Sequence, residues 1–149
     1  TMSNHEIGHV MDIAIKGILD LYDEGAFSAA TARKLIKTNL RLVAGYDGNT
    51  YEALETMAYT HCGNCLKKYA QGEKFIVEVE AHDCITPEDK LDRTWWDNVT
   101  NKTEYIGASL CMDCFQKIFK DALPEATKER IMKEASRTSE DNSGTSYLW

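Results

Sequence analysis

Cys62-Gly63-Asn64-Cys65, answered 45 residues later by Cys111-Met112-Asp113-Cys114, is the stretch whose reading decides the fold of this chain. Each Cys-x-x-Cys pair is a short hook that aims two sulfurs at one point, and two hooks supply the four thiolates of a tetrahedral Zn²⁺ site. Gly63 and Asn64 sit at the centre of the first hook and tolerate the unusual backbone angles a tight turn can require. The sequence therefore assigns Cys62, Cys65, Cys111 and Cys114 as ligands of one structural zinc ion. His61, beside the first hook, is an alternative ligand, a cap on the metal site or an exposed residue.

Disulfides and thiol redox chemistry are the competing readings. Five cysteines is an odd number, nothing resembling a signal peptide precedes the first helical pattern, and 149 residues can bury a core without staples. Redox Cys-x-x-Cys motifs open a helix after a strand, and two in one small domain would be unusual. Unpaired thiols point to a reducing, cytoplasmic setting. A site closed by four cysteines has no position for water or substrate, so it speaks for architecture rather than catalysis.

Outward from the first hook, the chain reads as helices on one side and strands on the other. Residues 5–23 place Ile7, Val10, Met11, Ala14, Ile18, Leu21 and Tyr22 at three- and four-residue steps, with Glu6, Asp12, Lys16, Asp20 and Asp23 turned away. Gly25 is placed to end that helix, and Ser28 to cap a second over about 29–44. Asn49 and Glu52 form a capping-box pattern for a third, running to about Tyr59 and into the hook. On the other side Lys74–Ala81 alternates as a half-buried strand, with Phe75, Val77 and Val79 inward, and a second strand is expected near 103–108. The second Cys pair then opens a helix through Phe115, Ile118, Phe119 and Ala122.

The order of hook, strand, strand and second Cys pair at a helix start resembles the treble-clef zinc fingers over about residues 61–123. The expected fold class is α+β and mainly helical. An N-terminal helical hairpin plus a third helix (3–60) packs on a treble-clef-like zinc module (61–123) with a two-stranded β-hairpin. A helix follows over 124–136, and a Ser/Thr/Asn-rich tail, expected to be disordered, over 137–149.

An insertion over 83–102 separates the strands and carries Trp95 and Trp96, residues costly to leave in water and enriched at binding hot spots. They are the first candidates for a partner surface. Cys84, flanked by His82 and Asp83, reads as a small buried thiol or a loop residue. His82 between the hooks also resembles the catalytic histidine of His-metal-finger endonucleases, though the basic, glycine-containing sequel of that class is missing. Arg33, Lys34, Lys37 and Arg41 give the second helix a basic face, with no acid between Glu24 and Asp47. That face suggests phosphate contacts, but the formal net charge of −7 opposes nucleic acid and anionic membranes alike.

The functional expectation is a non-enzymatic, zinc-stabilised interaction module, acting as adaptor, regulator or inhibitor of a partner protein. Small acidic proteins of this kind include inhibitors encoded by viruses and mobile elements. A nucleic-acid-binding regulator using the second helix is the alternative, and a His82 nuclease the third.

Overall fold

The computed structural model describes residues 3–45, 49–77, 106, 108–119, 124–135 and 137–139. Helix α1 (Asn4–Asp23) opens on a capping box between Ser3 and Glu6. It closes on a Schellman motif: Gly25 adopts φ +86° and donates to Tyr22 O, while Ala26 donates to Leu21 O. Ser28 then caps α2 (Ala29–Gly45) by accepting the Thr31 N–H at 3.2 Å. The two helices pack as the expected hairpin around Ile15, Leu19, Ala32, Ile36 and Val43.

The third helix differs from expectation in being two pieces, α3 (Thr50–Ala53) and α4 (Glu55–Thr60), parted at Leu54. Asn49 caps α3 through the Glu52 N–H as expected. The start of α4 is instead capped from α1. Asp12 accepts the Thr56 N–H at 2.9 Å and its hydroxyl at 2.8 Å. Asp12 is therefore not a solvent-facing residue.

Strand β1 (Lys74–Val77) pairs antiparallel with β2 (Ser109–Cys111) in the register Phe75↔Cys111, Ile76↔Leu110 and Val77↔Ser109. Two further corrections to the sequence reading arise here. The second strand lies later than 103–108 and contains Cys111 itself. Phe75 and Ile76 are both buried, so β1 is covered on both faces at this level rather than alternating. β2 leads directly into α5 (Met112–Phe119), and α6 (Glu125–Glu134) follows from Pro124.

Where disorder was expected from residue 137, β3 (Arg137–Thr138) adds a short antiparallel edge to β1. Ser139 fastens it, accepting from Gly72 N and donating to Ala70 O, both at 2.7 Å. Among the described residues the fold is thus mainly helical with a small antiparallel sheet in the order β2-β1-β3. The insertion over 83–102 with Trp95 and Trp96, the residues His82 and Cys84, and the tail beyond 139 lie outside the described residues.

Two apolar clusters divide the interior. One, around the cysteines, joins Tyr69, Phe75, Ile76, Leu110, Phe115, Phe119 and Ile131. The other lies within the helices, and it includes Leu66 and Ala108 from the segments next to the cysteines.

Candidate metal centre

The Sγ atoms of Cys62, Cys65, Cys111 and Cys114 all lie within 4.8 Å of one another. Four sulfurs bound at ~2.3 Å around a tetrahedral ion stand about 3.8 Å apart, so the cluster suits a metal without rearrangement of the backbone. None of the four is in a disulfide. Cys62, Cys111 and Cys114 are buried, and Cys65 is exposed. The four converge as a zinc-finger-like module capable of holding one metal ion.

Local structure explains the convergence. The first hook is a tight reversal: Leu66 N donates to Cys62 O and Cys62 N to Lys67 O, each at 3.0 Å, while Tyr69 N closes on Thr60 O at 2.9 Å. Its left-handed residue is neither Gly63 nor Asn64 but Leu66, at φ 64°. Gly63 serves a different purpose from the one the sequence suggested. Its N–H donates to Ser109 O at 2.7 Å, and an added Cβ would stand 3.0 Å from that same oxygen. Glycine is needed there because the hook lies against β2.

The second pair is split between two elements. Cys111 ends β2, and Cys114 lies in the first turn of α5, where the helix dipole favours negative charge.

Backbone N–H groups turn toward the sulfurs. Cys62 Sγ accepts from Asn64, Cys65 and Cys111 at 3.4–3.5 Å, and Cys111 Sγ from Cys114 at 3.4 Å. Asn64 contributes its side chain as well, donating Nδ2 to Cys114 Sγ at 3.4 Å. Burial pushes the Cys65 thiol up to about 11 and raises Cys111 as well. At Cys114 burial also acts upward, but the Asn64 amide and the neighbouring thiols outweigh it and the thiol is lowered. Without a cation Cys65 and Cys111 therefore favour the protonated form. A bound divalent ion reverses that balance and expels protons.

His61 is neither a ligand nor exposed. It is 3% accessible, with Nε2 2.8 Å from Asp23 Oδ2 and Nδ1 2.8 Å from Thr60 Oγ1. It ties the end of α1 to the base of the hook. Behind it, Tyr69 and the buried Ser109 share a 2.6 Å hydrogen bond, and Ser109 Oγ donates to His61 O at 3.2 Å. Sequence reasoning missed this arrangement because Asp23 looked like a solvent residue of an amphipathic helix.

Arg33, Lys34, Lys37 and Arg41 are not part of this centre. All four basic residues lie on α2, Lys34 and Arg41 exposed, Arg33 and Lys37 half-buried. No helix among the described residues is long and apolar enough to cross a membrane. Comparison with known proteins returns no matching family model, no matching curated protein and no matching solved structure.

Proposed function

We propose that the chain is a small cytoplasmic interaction module built on a treble-clef-like zinc finger, non-enzymatic, acting as adaptor, regulator or inhibitor of a partner protein. One observation carries this reading: four cysteines from two hooks converge within 4.8 Å, enough to close a tetrahedral zinc ion with no position left for substrate. A closed site holds surfaces in place, so function belongs to those surfaces. The helical unit offers one. Val10, Ile13 and Leu21 are 43%, 59% and 42% accessible on α1, at the steps of a single helix face. Apolar side chains in such a row are the raw material of a protein-binding patch. The negative charge favours a basic partner surface over nucleic acid.

Two measurements test the proposal. The purified protein should retain one equivalent of zinc through desalting, and a value of zero removes the finger. Capture from the native host should recover a defined partner, and Ile13→Asp with Leu21→Asp should abolish recovery without changing the melting temperature. Recovery unaffected by that pair, and by Trp95→Ala and Trp96→Ala, rejects the interaction surfaces.

A further inference from the structure

Helices α1 and α2 carry opposite charge. Asn4–Asp23 sets Glu6, Asp12, Asp20 and Asp23 against Lys16, whereas Ala29–Gly45 holds Arg33, Lys34, Lys37 and Arg41 and no acid. Both helices also bare apolar side chains on the side of the hairpin turned away from α3 and α4. On α1 the covered side is marked by Gly8, where an added Cβ would stand 2.7 Å from Asn49 O, and by Asp12, which holds Thr56. Val10, Ile13, Gly17 and Leu21 lie on the opposite side and are exposed. On α2 the side toward α3 is marked by Leu40, which shares a cavity with Thr50 and Tyr51. Leu42, about 200° further round that helix, is 48% accessible.

The two rows match in spacing. Val10, Ala14, Gly17 and Leu21 advance by steps of four, three and four along α1. Thr31, Leu35, Thr38 and Leu42 advance by the same steps along α2, the spacing with which the helices of a four-helix bundle interlock. Thr38 suits such a seam, because its hydroxyl already donates to Lys34 O at 2.9 Å.

We propose that a second copy of this chain docks on this face, the two hairpins forming a four-helix bundle about a twofold axis that runs along the helices. That axis sets α1 of each copy against α2 of the other, so the acidic helix meets the basic one twice, in an isologous interface. Pairing α1 with α1 would oppose like charges instead. Asp20 and Lys34 are both exposed and lie on the two outer edges of one hairpin. The twofold axis brings Asp20 of one copy beside Lys34 of the other. A face two helices wide and about 25 Å long covers ~1,000 Å² between two copies, the lower bound of a specific interface, so the dimer should dissociate on dilution. This inference rests on the reading of the α1 row as an interaction surface, and it names the occupant: the basic surface is α2 of a second copy.

The test is sedimentation of the full-length protein at low salt, over concentrations from about 1 µM to about 1 mM. Twice the chain mass should appear as concentration rises. Leu42→Asp should weaken association at least about tenfold with unchanged far-ultraviolet dichroism. Asp20→Lys and Lys34→Asp should each weaken it about five- to tenfold, and the two together should restore it. A chain that stays monomeric throughout overturns the proposal. So does association untouched by Leu42→Asp, or a double charge variant as weak as the single ones. Failure of the broader reading looks different. A dimer that recovers no other partner from the host supports this inference and removes the adaptor role. A monomer that loses its captured partner with Ile13→Asp and Leu21→Asp overturns this inference alone.

Discussion

Leu66 carries a conflict that its surroundings resolve. A leucine at φ 64° costs about 1–2 kcal/mol relative to a right-handed residue, and glycine would avoid that cost. Yet its side chain is fully buried among the helices, with Ile15, Leu19 and Met57 in the same cluster. Burial of a leucine is worth more than the strain, so the hook keeps the side chain that anchors it. Leu66→Ala should destabilise by about 2–5 kcal/mol. Leu66→Gly loses nearly the same packing but relieves the about 1–2 kcal/mol of left-handed strain that alanine keeps, so it should be the milder change. Denaturant unfolding of both variants checks the order, and Ala equal to or better than Gly would refute the account. Asp23→Ala is the companion case. It leaves the Nε2 of a buried imidazole without its partner and should cost about 1–3 kcal/mol, read from the same unfolding curves.

Among the elements, two glycines of α1 make opposite predictions from one helix. Gly17 has open space where a Cβ would stand, so Gly17→Ala should stabilise by about 0.5–1 kcal/mol through helix propensity. At Gly8 the new Cβ meets a backbone oxygen at 2.7 Å, so an overpacking cost of about 1–3 kcal/mol sets itself against the same gain. Gly8→Ala should therefore lower the melting temperature while Gly17→Ala raises it, and a shift of the same sign in both would contradict the close α1–α3 approach. The helices themselves were legible because their end signals are local: Ser28 before α2 and Gly25 after α1. The buried face of α1 was read less well, since Ile15 and Leu19 are 1% accessible while Val10 and Leu21, in the expected apolar stripe, are 43% and 42% accessible. The break at Leu54 was not legible, because the cap that restarts α4 is Asp12, 44 residues earlier. β3 was equally hidden. Arg137 and Thr138 join the sheet through the backbone, and an edge of two residues has no side-chain pattern to read. At the candidate metal centre the spacing of the cysteines sufficed to say which four side chains come together. The orienting partners Asn64, Ser109 and His61 depend on tertiary approach and could not be read that way.

In the whole molecule the cysteines stand between two cores of unequal self-sufficiency. The helical cluster draws on α1, α2, α3 and α4, which close most of it by themselves. Around the cysteines, the stacked Tyr69–Phe75 pair at 4.4 Å, the edge-on Tyr59 and the Phe115–Phe119 contact surround four sulfurs that have no covalent link. A metal ion bound by the four cysteines would join the first hook to β2 and α5 in one step, so its removal should loosen that cluster first. Acid provides a graded way to remove it. Burial holds the metal-free Cys65 and Cys111 thiols above their usual range, so at neutral pH the ion must displace their protons. Each displaced proton weakens metal binding about tenfold per unit fall in pH, so the stability contributed by the metal is present at high pH and lost as pH falls. Zinc release, followed with a chromogenic chelator, should therefore coincide with loss of the near-ultraviolet dichroism of Tyr59 and Tyr69. Most far-ultraviolet helical signal should persist through that step, because Ile15, Leu19, Ala32, Ile36 and Val43 do not depend on the sulfurs. Simultaneous loss of both signals would instead mean that Leu66 and the Asp23–His61 pair bind the two cores into one cooperative unit.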